Sequence, residues 1–102
     1  MPTKVRKLKK MIRDGKRRIG FITTTPESER DIPVQSVIIR DAYVWKSQSG
    51  NWLIRGRDIG FEQLDDVKNG HMIKEEYRRP KQMRRVRDFR IDRILNGSIV
   101  SN

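Results

Sequence analysis

The sequence predicts a mainly β fold preceded by a single α-helix, and three observations support this class. Apolar residues recur at helical spacing only near the N-terminus, whereas later segments alternate between apolar and polar residues. The chain has 102 residues, which predicts one domain spanning residues 1–102. Hydrophobic residues make up 34% of the chain and charged residues 36%. The core must therefore be thin, and a small closed barrel or a helix packed on a sheet suits it better than a helical bundle.

The helix is predicted over residues 3–14. Thr3 can cap its start, and Gly15 can end it. Its apolar residues are spaced three or four apart, as expected for one side of a helix: Val5, Leu8, Met11 and Ile12. The other side is strongly basic and carries Lys4, Arg6, Lys7, Lys9, Lys10 and Arg13.

Several short strands are predicted in the first half of the chain after the helix. Residues 18–24 alternate between apolar and polar residues, which indicates the first strand. In residues 32–39 the apolar positions switch parity, and a bulge or bend at residues 35–36 would account for the switch. A short strand at 42–45 follows, and the polar residues 47–50 form a connecting turn.

The strand predicted at residues 51–57 separates apolar from basic residues. Trp52 and Ile54 belong to one face, whereas Arg55 and Arg57 belong to the other. Because the two faces of a strand contact different surroundings, the arginines are candidates for binding rather than packing.

The last strand is predicted at residues 86–95. Period-two alternation places Phe89 and Ile91 on one face and Arg90 and Asp92 on the other. Aspartates interleaved with arginines suggest guanidinium groups that neighbouring carboxylates hold in position on a sheet.

Residues 60–85 are predicted to form a basic loop insertion, with a short helix ending near residue 70. Its last part, residues 78–85, is rich in lysine and arginine and includes Arg84 and Arg85. Such a cluster is either a solvated arm or a contact for an anionic partner.

The net charge of +11 is concentrated at the two ends of the chain. Residues 1–18 carry +8 and residues 77–93 carry +6, whereas residues 19–76 carry −3. Polyphosphate backbones are common intracellular partners for such clusters. The alternative is that the charge merely keeps a small domain in solution.

Composition argues against several classes of protein. Cysteine is absent, so disulfides, thiolate metal sites and cysteine nucleophiles are excluded. No apolar run is long enough to predict a signal sequence or a membrane span, and the basic helix has no aromatic anchor for a membrane surface. We therefore expect a cytoplasmic protein of a bacterium or a phage-infected cell.

Catalysis has little support in the sequence. His71 is the only histidine and lies beside a glycine, which is typical of a loop. A faint resemblance to a metal-dependent nuclease motif exists, but adjacent acids on a short helix point to different faces. The motif comprises Asp65, Asp66 and Lys68, to which Glu75 and Glu76 could add a further carboxylate. We predict no enzyme activity, no metal and no cofactor for this protein.

The order of these motifs resembles the WYL family. A basic helix is followed by an alternating strand, a strand with Pro33, a glycine-containing turn with 50–54 (GNWLI), and the closing residues 87–94 (RDFRIDRI). WYL domains are named for a Trp-Tyr-Leu triplet after such a turn. Here Trp52 is retained, with Leu53 and Ile54 in place of the other two residues.

The resemblance implies an Sm-like, Src-homology-3-like barrel of five strands at residues 17–95 behind the helix. Similar domains occur mostly in bacterial and phage transcriptional regulators, where they are thought to bind nucleic-acid fragments or nucleotides through basic barrel residues. This chain would be a stand-alone unit without the helix-turn-helix that usually accompanies them. The absent tyrosine removes a stacking or hydrogen-bonding group.

Each candidate binding residue also has a structural interpretation. Trp52, beside Arg55 and Arg57, can stack a base, but filling the core is the favoured role because few other apolar residues share its parity. The closing arginines can bind phosphate or can pair with Asp88 and Asp92, and binding is favoured for Arg87. The full set predicted to contact nucleic acid is Lys7, Lys10, Arg13, Trp52, Arg55, Arg57, Arg84, Arg85, Arg87, Arg90 and Arg93.

The predicted function is a nucleic-acid-binding regulatory module that contacts DNA or RNA, with single strands favoured. Its basic side chains are expected to converge on one wall of the barrel. The alternative is a small protein that docks on an acidic surface of a host enzyme or polymerase and modulates it.

Overall fold

The computed structural model describes residues 1–24, 34–60 and 86–101 of this chain, with the side chains of 34, 35 and 60 left out. They form one antiparallel sheet of five strands and one N-terminal helix, in the strand order β4-β3-β2-β1-β5. The elements are α1 Thr3–Arg13, β1 Arg18–Thr24, β2 Val34–Lys46, β3 Trp52–Gly60, β4 Val86–Arg90 and β5 Val100–Ser101, with a 3-10 turn at Ile91–Arg93.

Helix α1 confirms the predicted amphipathic pattern. Val5 and Leu8 are buried, and the basic positions lie mostly on the exposed side. Gly15, with a φ of 81°, ends the helix in the left-handed conformation that glycine adopts most readily. The predicted cap is wrong, since Pro2 precedes the helix and no side chain caps it.

Strand β2 is one continuous strand of 13 residues rather than two short ones. Its pairing with β1 is regular through residues 34–40, so the bulge predicted at 35–36 is wrong. The irregularities lie on the β3 side, between Ile38 and Ile39 and between Arg40 and Tyr43. Successive residues of β2 are buried on both faces, since Ile38 packs with Ile59 outside the main core while Ile39 packs within it.

The predicted closing strand is only half correct. Strand β4 ends at Arg90, and residues 91–93 form a 3-10 turn. Residues three apart align on one side of a 3-10 turn, whereas they would lie on opposite faces of a strand. The turn thereby buries both Ile91 and Ile94 in the core, at 1% and 2% exposure.

The segment after the turn returns to β1. The amide of Leu95 donates a 2.8 Å hydrogen bond to the carbonyl of Ile22, and Ser98 Oγ accepts a 3.1 Å hydrogen bond from the Ile22 amide. The short strand β5, which the sequence did not predict, then pairs with β1. Among the described residues β4 and β5 are the two edges of the sheet and do not pair, so the sheet is open and the predicted barrel is not confirmed.

The main core lies between α1 and one face of the sheet, which we call the inner face. Phe21 and Phe89 meet there edge to face, with their ring centroids 5.3 Å apart. In the described part of the chain no helix is long and apolar enough to cross a membrane. The core residues are Val5, Leu8, Ile19, Phe21, Val37, Ile39, Ile54, Phe89, Ile91, Ile94 and Ile99.

Candidate nucleic-acid interface

The opposite face of strands β2, β3 and β4, which we call the outer face, carries three rows of paired residues. Residues directly opposite each other on adjacent antiparallel strands project to the same face. Arg55 lies at the centre, between Tyr43 on β2 and Asp88 on β4. The rows are Trp45–Leu53–Arg90, Tyr43–Arg55–Asp88 and Arg40–Arg57–Val86.

Four side chains of the outer face form one hydrogen-bonded network. Arg55 donates from Nε and Nη2 to the two oxygens of Asp88, both at 2.7 Å, and from Nη1 to the hydroxyl of Tyr43 at 3.0 Å. The indole Nε1 of Trp45 donates to Asp88 at 3.1 Å. A bidentate contact of this kind fixes the plane of the guanidinium.

Aromatic rings also contact Arg55. Its guanidinium carbon lies 4.9 Å from the ring centroid of Trp45 and 5.9 Å from that of Tyr43, both within the range of cation–π attraction. We call these four residues, Tyr43, Trp45, Arg55 and Asp88, the aromatic–arginine cluster.

Electrostatics keep this cluster charged. Hydrogen bonds from Arg55, and then from Trp45, lower the pKa of Asp88 below its ordinary value, although partial burial opposes the shift. The same pair raises the pKa of Arg55 above its ordinary value, through its bonds to Asp88 and then to Tyr43. Both groups are therefore ionised at neutral pH.

Two other predicted binding arginines are paired with carboxylates. Arg87 Nη1 lies 2.8 Å from Asp58, a carboxylate whose side chain is 3% exposed, and its guanidinium carbon is 4.7 Å from the Phe89 ring centroid. Arg90 makes two hydrogen bonds to Asp92, of 3.1 and 2.6 Å. These contacts favour pairing over binding for both residues, and they count against the binding role preferred for Arg87.

Trp52 lies on the inner face, in the row of Lys46 and away from Arg55. Its ring packs against the main core, with the ammonium groups of Lys9 and Lys46 at 4.8 and 5.5 Å from a ring centroid. The packing role that the sequence favoured agrees with this position. A joint stacking site of Trp52 with Arg55 and Arg57 is wrong, because the sheet separates them.

The exposed side of α1 carries cations that are not neutralised in this way. Lys10 lies 3.2 Å from Asp14 and is largely exposed. Arg6, Lys7 and Arg13 are exposed, and their side chains make no hydrogen bond or ion pair with the residues that the structure describes. We call Arg6, Lys7, Lys10 and Arg13 the cationic helix face.

Aspartates, in contrast, are all compensated in the described segments. Each forms an ion pair with a described lysine or arginine, at distances from 2.6 to 3.3 Å. The sheet therefore balances much of its own charge, and the excess positive charge lies mainly on and just after α1. The five aspartates are Asp14, Asp41, Asp58, Asp88 and Asp92.

The predicted convergence of all cations on one wall is wrong for the described residues. Helix α1 packs on the inner face through Val5 and Leu8, whereas Arg55, Arg57 and Arg90 belong to rows of the outer face. Arg93, another predicted binding residue, is half-buried in the 3-10 turn. Arg84 and Arg85 lie outside the described residues. The same holds for the predicted helix and loop of 61–85 and for the acidic motif of 65–76.

Two cavities adjoin these surfaces. One of about 130 Å³ lies on the outer face beside the aromatic–arginine cluster, with Arg40 and Arg57 in its wall. The other, of about 260 Å³, lies between the start of α1 and Trp52 and is lined in part by Lys4 and Asn51. Within the described ranges no cluster of three or more His, Cys, Asp or Glu residues is arranged to hold a metal ion.

Sequence reasoning missed Tyr43, Trp45 and the pairing of Asp88 with Arg55. The signal was present in the turn at 47–50, because a hairpin that pairs Lys46 with Trp52 also places Tyr43 opposite Arg55. Following the register from the turn would have identified the cluster on β2 and β3.

Comparisons with known proteins add no relative. No protein-family model matches the chain, and no curated protein or solved structure matches it either.

Proposed function

We propose that this protein is a nucleic-acid-binding regulatory module whose cationic helix face contacts the phosphate backbone. One observation carries the proposal: Arg6, Lys7 and Arg13 are exposed and have no carboxylate partner among the described residues. Like charges held close together on a helix repel one another, and a polyanion relieves that repulsion. Binding is non-covalent and involves no chemical step.

The geometry of a helix suits a phosphate backbone. Arg6, Lys10 and Arg13 fall within an arc of roughly 60° on the exposed side of α1, and Lys7 lies beside that arc. The distance from Arg6 to Arg13 along the axis is about 10 Å, long enough for successive cations to contact different phosphates. Long flexible side chains then adapt to the path of the strand, which gives affinity with little sequence selectivity.

The proposal also covers the detailed architecture of the sheet and the family of the domain. We propose that the sheet closes into an Sm-like barrel and that the chain is a WYL-like module in the cytoplasm of a bacterium or an infected host. The contacts that bring Ile94 and Leu95 back to β1 support closure, since they join the end of the β4 segment to the far side of the sheet. The closing motif at 87–94 supports the family resemblance.

A salt titration tests the nucleic-acid proposal. Protein purified at high salt is mixed with a fluorescent single-stranded oligonucleotide and with a duplex, and the affinity is measured by anisotropy from low to physiological salt. If ~4–7 phosphates are contacted, log affinity falls against log salt with a slope of about −3 to −6. An affinity that is independent of salt, or no binding to either probe, contradicts the proposal.

A second candidate function is docking on a host protein, and the outer face supplies the observation that favours it. Tyr43 and Val86 are 49% and 53% exposed there, next to an arginine and a tryptophan, the residue types enriched in interface hot spots. Protein captured from nuclease-treated lysate, together with no shift of any oligonucleotide, would favour this function. Retention that nuclease abolishes would favour nucleic acid.

A further inference from the structure

The aromatic–arginine cluster is built more rigidly than an exposed surface requires. Arg55 has three of its donors engaged by Asp88 and Tyr43, and Asp88 accepts a further hydrogen bond from Trp45. An ion pair this exposed contributes only modestly to stability, even with bidentate geometry. Its main physical effect is therefore to hold two aromatic rings and one guanidinium plane in fixed orientations.

Arg55 is poorly placed to act as a phosphate ligand. Both carboxylate oxygens of Asp88 already occupy its bidentate edge, and a phosphate would have to displace them. The exposed ring of Tyr43 can still contact a planar group. The chemistry presented by the cluster is thus stacking rather than charge neutralisation.

We propose that the outer face is a stacking site for unpaired bases of a single-stranded nucleic acid, with Tyr43 as the principal stacking residue. This inference rests on the proposed nucleic-acid-binding function and adds a second surface to it. Every base has a flat π face, so stacking on an aromatic ring tolerates any sequence. In a duplex those faces are covered by neighbouring bases, and the site therefore selects single strands.

The surroundings of Tyr43 match a nucleotide in charge. The 130 Å³ cavity beside its ring has the guanidinium-bearing residues Arg40 and Arg57 in its wall, which favours the phosphate of a stacked nucleotide. Among the described residues of that wall Asp41 is the one acid, and its carboxylate lies 3.3 Å from Arg40 Nε. The protein charge of +11 favours an anionic occupant.

Spacing along β2 allows more than one base to be contacted. Tyr43 and Trp45 are two residues apart on the strand, about 7 Å, and point to the same face. The neighbour of a base on Tyr43 would then lie near the Arg55–Trp45 pair. The strand that binds here is extended, with its bases turned toward the sheet.

Two substitutions of Tyr43 test the site. Tyr43→Leu removes the ring but keeps an apolar side chain, whereas Tyr43→Phe keeps the ring and loses only the hydroxyl contact to Arg55. With an oligothymidine probe, Tyr43→Leu is expected to weaken binding roughly 5- to 100-fold, the effect of losing one base–aromatic stack. Tyr43→Phe is expected to bind the same probe with an affinity within about threefold of the wild type. The affinity of either variant for a duplex should differ from that of the wild type by less than twofold.

The outcomes separate this inference from the function on which it rests. Unchanged single-strand affinity in folded Tyr43→Leu protein, or an equal loss for single strand and duplex, overturns the stacking site while leaving phosphate binding by α1 intact. No binding of any probe by the wild-type protein overturns the proposed function itself. Circular dichroism of each variant establishes that it is folded.

Tryptophan fluorescence locates the bound strand independently. The protein has two tryptophans, one on each face, so Trp52→Phe leaves only the outer-face reporter Trp45. Oligothymidine is expected to quench the Trp52→Phe protein and to leave the Trp45→Phe protein unchanged. Quenching of Trp52 alone would place the strand on the inner side near α1 and overturn the proposal.

Discussion

Arg55 and Asp88 lie directly opposite each other on β3 and β4, and two hydrogen bonds of 2.7 Å join the guanidinium to both carboxylate oxygens. This pair explains why the sheet and the helix differ electrostatically. On the sheet, arginines meet aspartates across strands or within a turn, so much of the charge is compensated locally. On α1, in contrast, Arg6, Lys7 and Arg13 have no carboxylate partner among the described residues.

Neutralising two cations of α1 is expected to weaken nucleic-acid binding. In the double variant Lys7→Gln/Arg13→Gln the slope of log affinity against log salt should become shallower by about 1.4–1.8. Fewer phosphate contacts form, so binding releases fewer counterions. Affinity at physiological salt should fall roughly tenfold, as measured by anisotropy.

The charge-preserving double variant Lys7→Arg/Arg13→Lys is the matched control for that prediction. It changes the same two positions but keeps both positive charges, so its slope should match the wild type. A similar loss in both double variants would point to a packing effect of α1 instead of phosphate contact.

Removing Arg87 is expected to destabilise the fold more than removing Arg90. Both arginines pair with an aspartate, but Asp58 is buried at 3% side-chain exposure whereas Asp92 is 61% exposed. Arg87→Ala takes a charged partner from a buried carboxylate and should cost roughly 1–3 kcal/mol of unfolding free energy. Arg90→Ala should cost at most about 1 kcal/mol. Urea denaturation measures both, and equal costs would show that burial of Asp58 does not matter.

The Arg55–Asp88 pair is expected to make stability depend on pH in acid. Pairing lowers the pKa of folded Asp88, so its stabilising contribution is complete above the ordinary aspartate pKa of about 4 and is lost as the pH falls through the lowered folded-state value. The melting temperature of the wild type should therefore exceed that of Asp88→Asn between about pH 5 and 7, and the difference should shrink below about pH 4.

A double-variant cycle isolates this pair from other acids. In an Arg55→Gln background, adding Asp88→Asn should have little effect on the melting temperature at any of these pH values, because the partner is already absent. If the difference persists unchanged in that background, the acid sensitivity contributed by Asp88 does not depend on Arg55.

The sequence alone determined the class of the fold and most of its elements. Helical spacing of Val5 and Leu8 sufficed for α1, because an amphipathic helix needs only a local pattern and a terminating glycine. Period-two alternation sufficed for β1 and β3 for the same reason. The concentration of positive charge near the two ends of the chain was likewise visible from the distribution of charged residues along the sequence.

The tertiary structure decided where those charges lie and what they contact. Register between β2, β3 and β4 brought Tyr43 and Asp88 to either side of Arg55, a relationship between residues 12 and 33 positions away in the chain. The 3-10 turn after β4 formed because packing of Ile91 and Ile94 outweighed the strand-like pattern of the closing motif. Local periodicity specifies which face a residue prefers, but only packing between distant segments sets which faces meet, and that is why the cations divide between two surfaces.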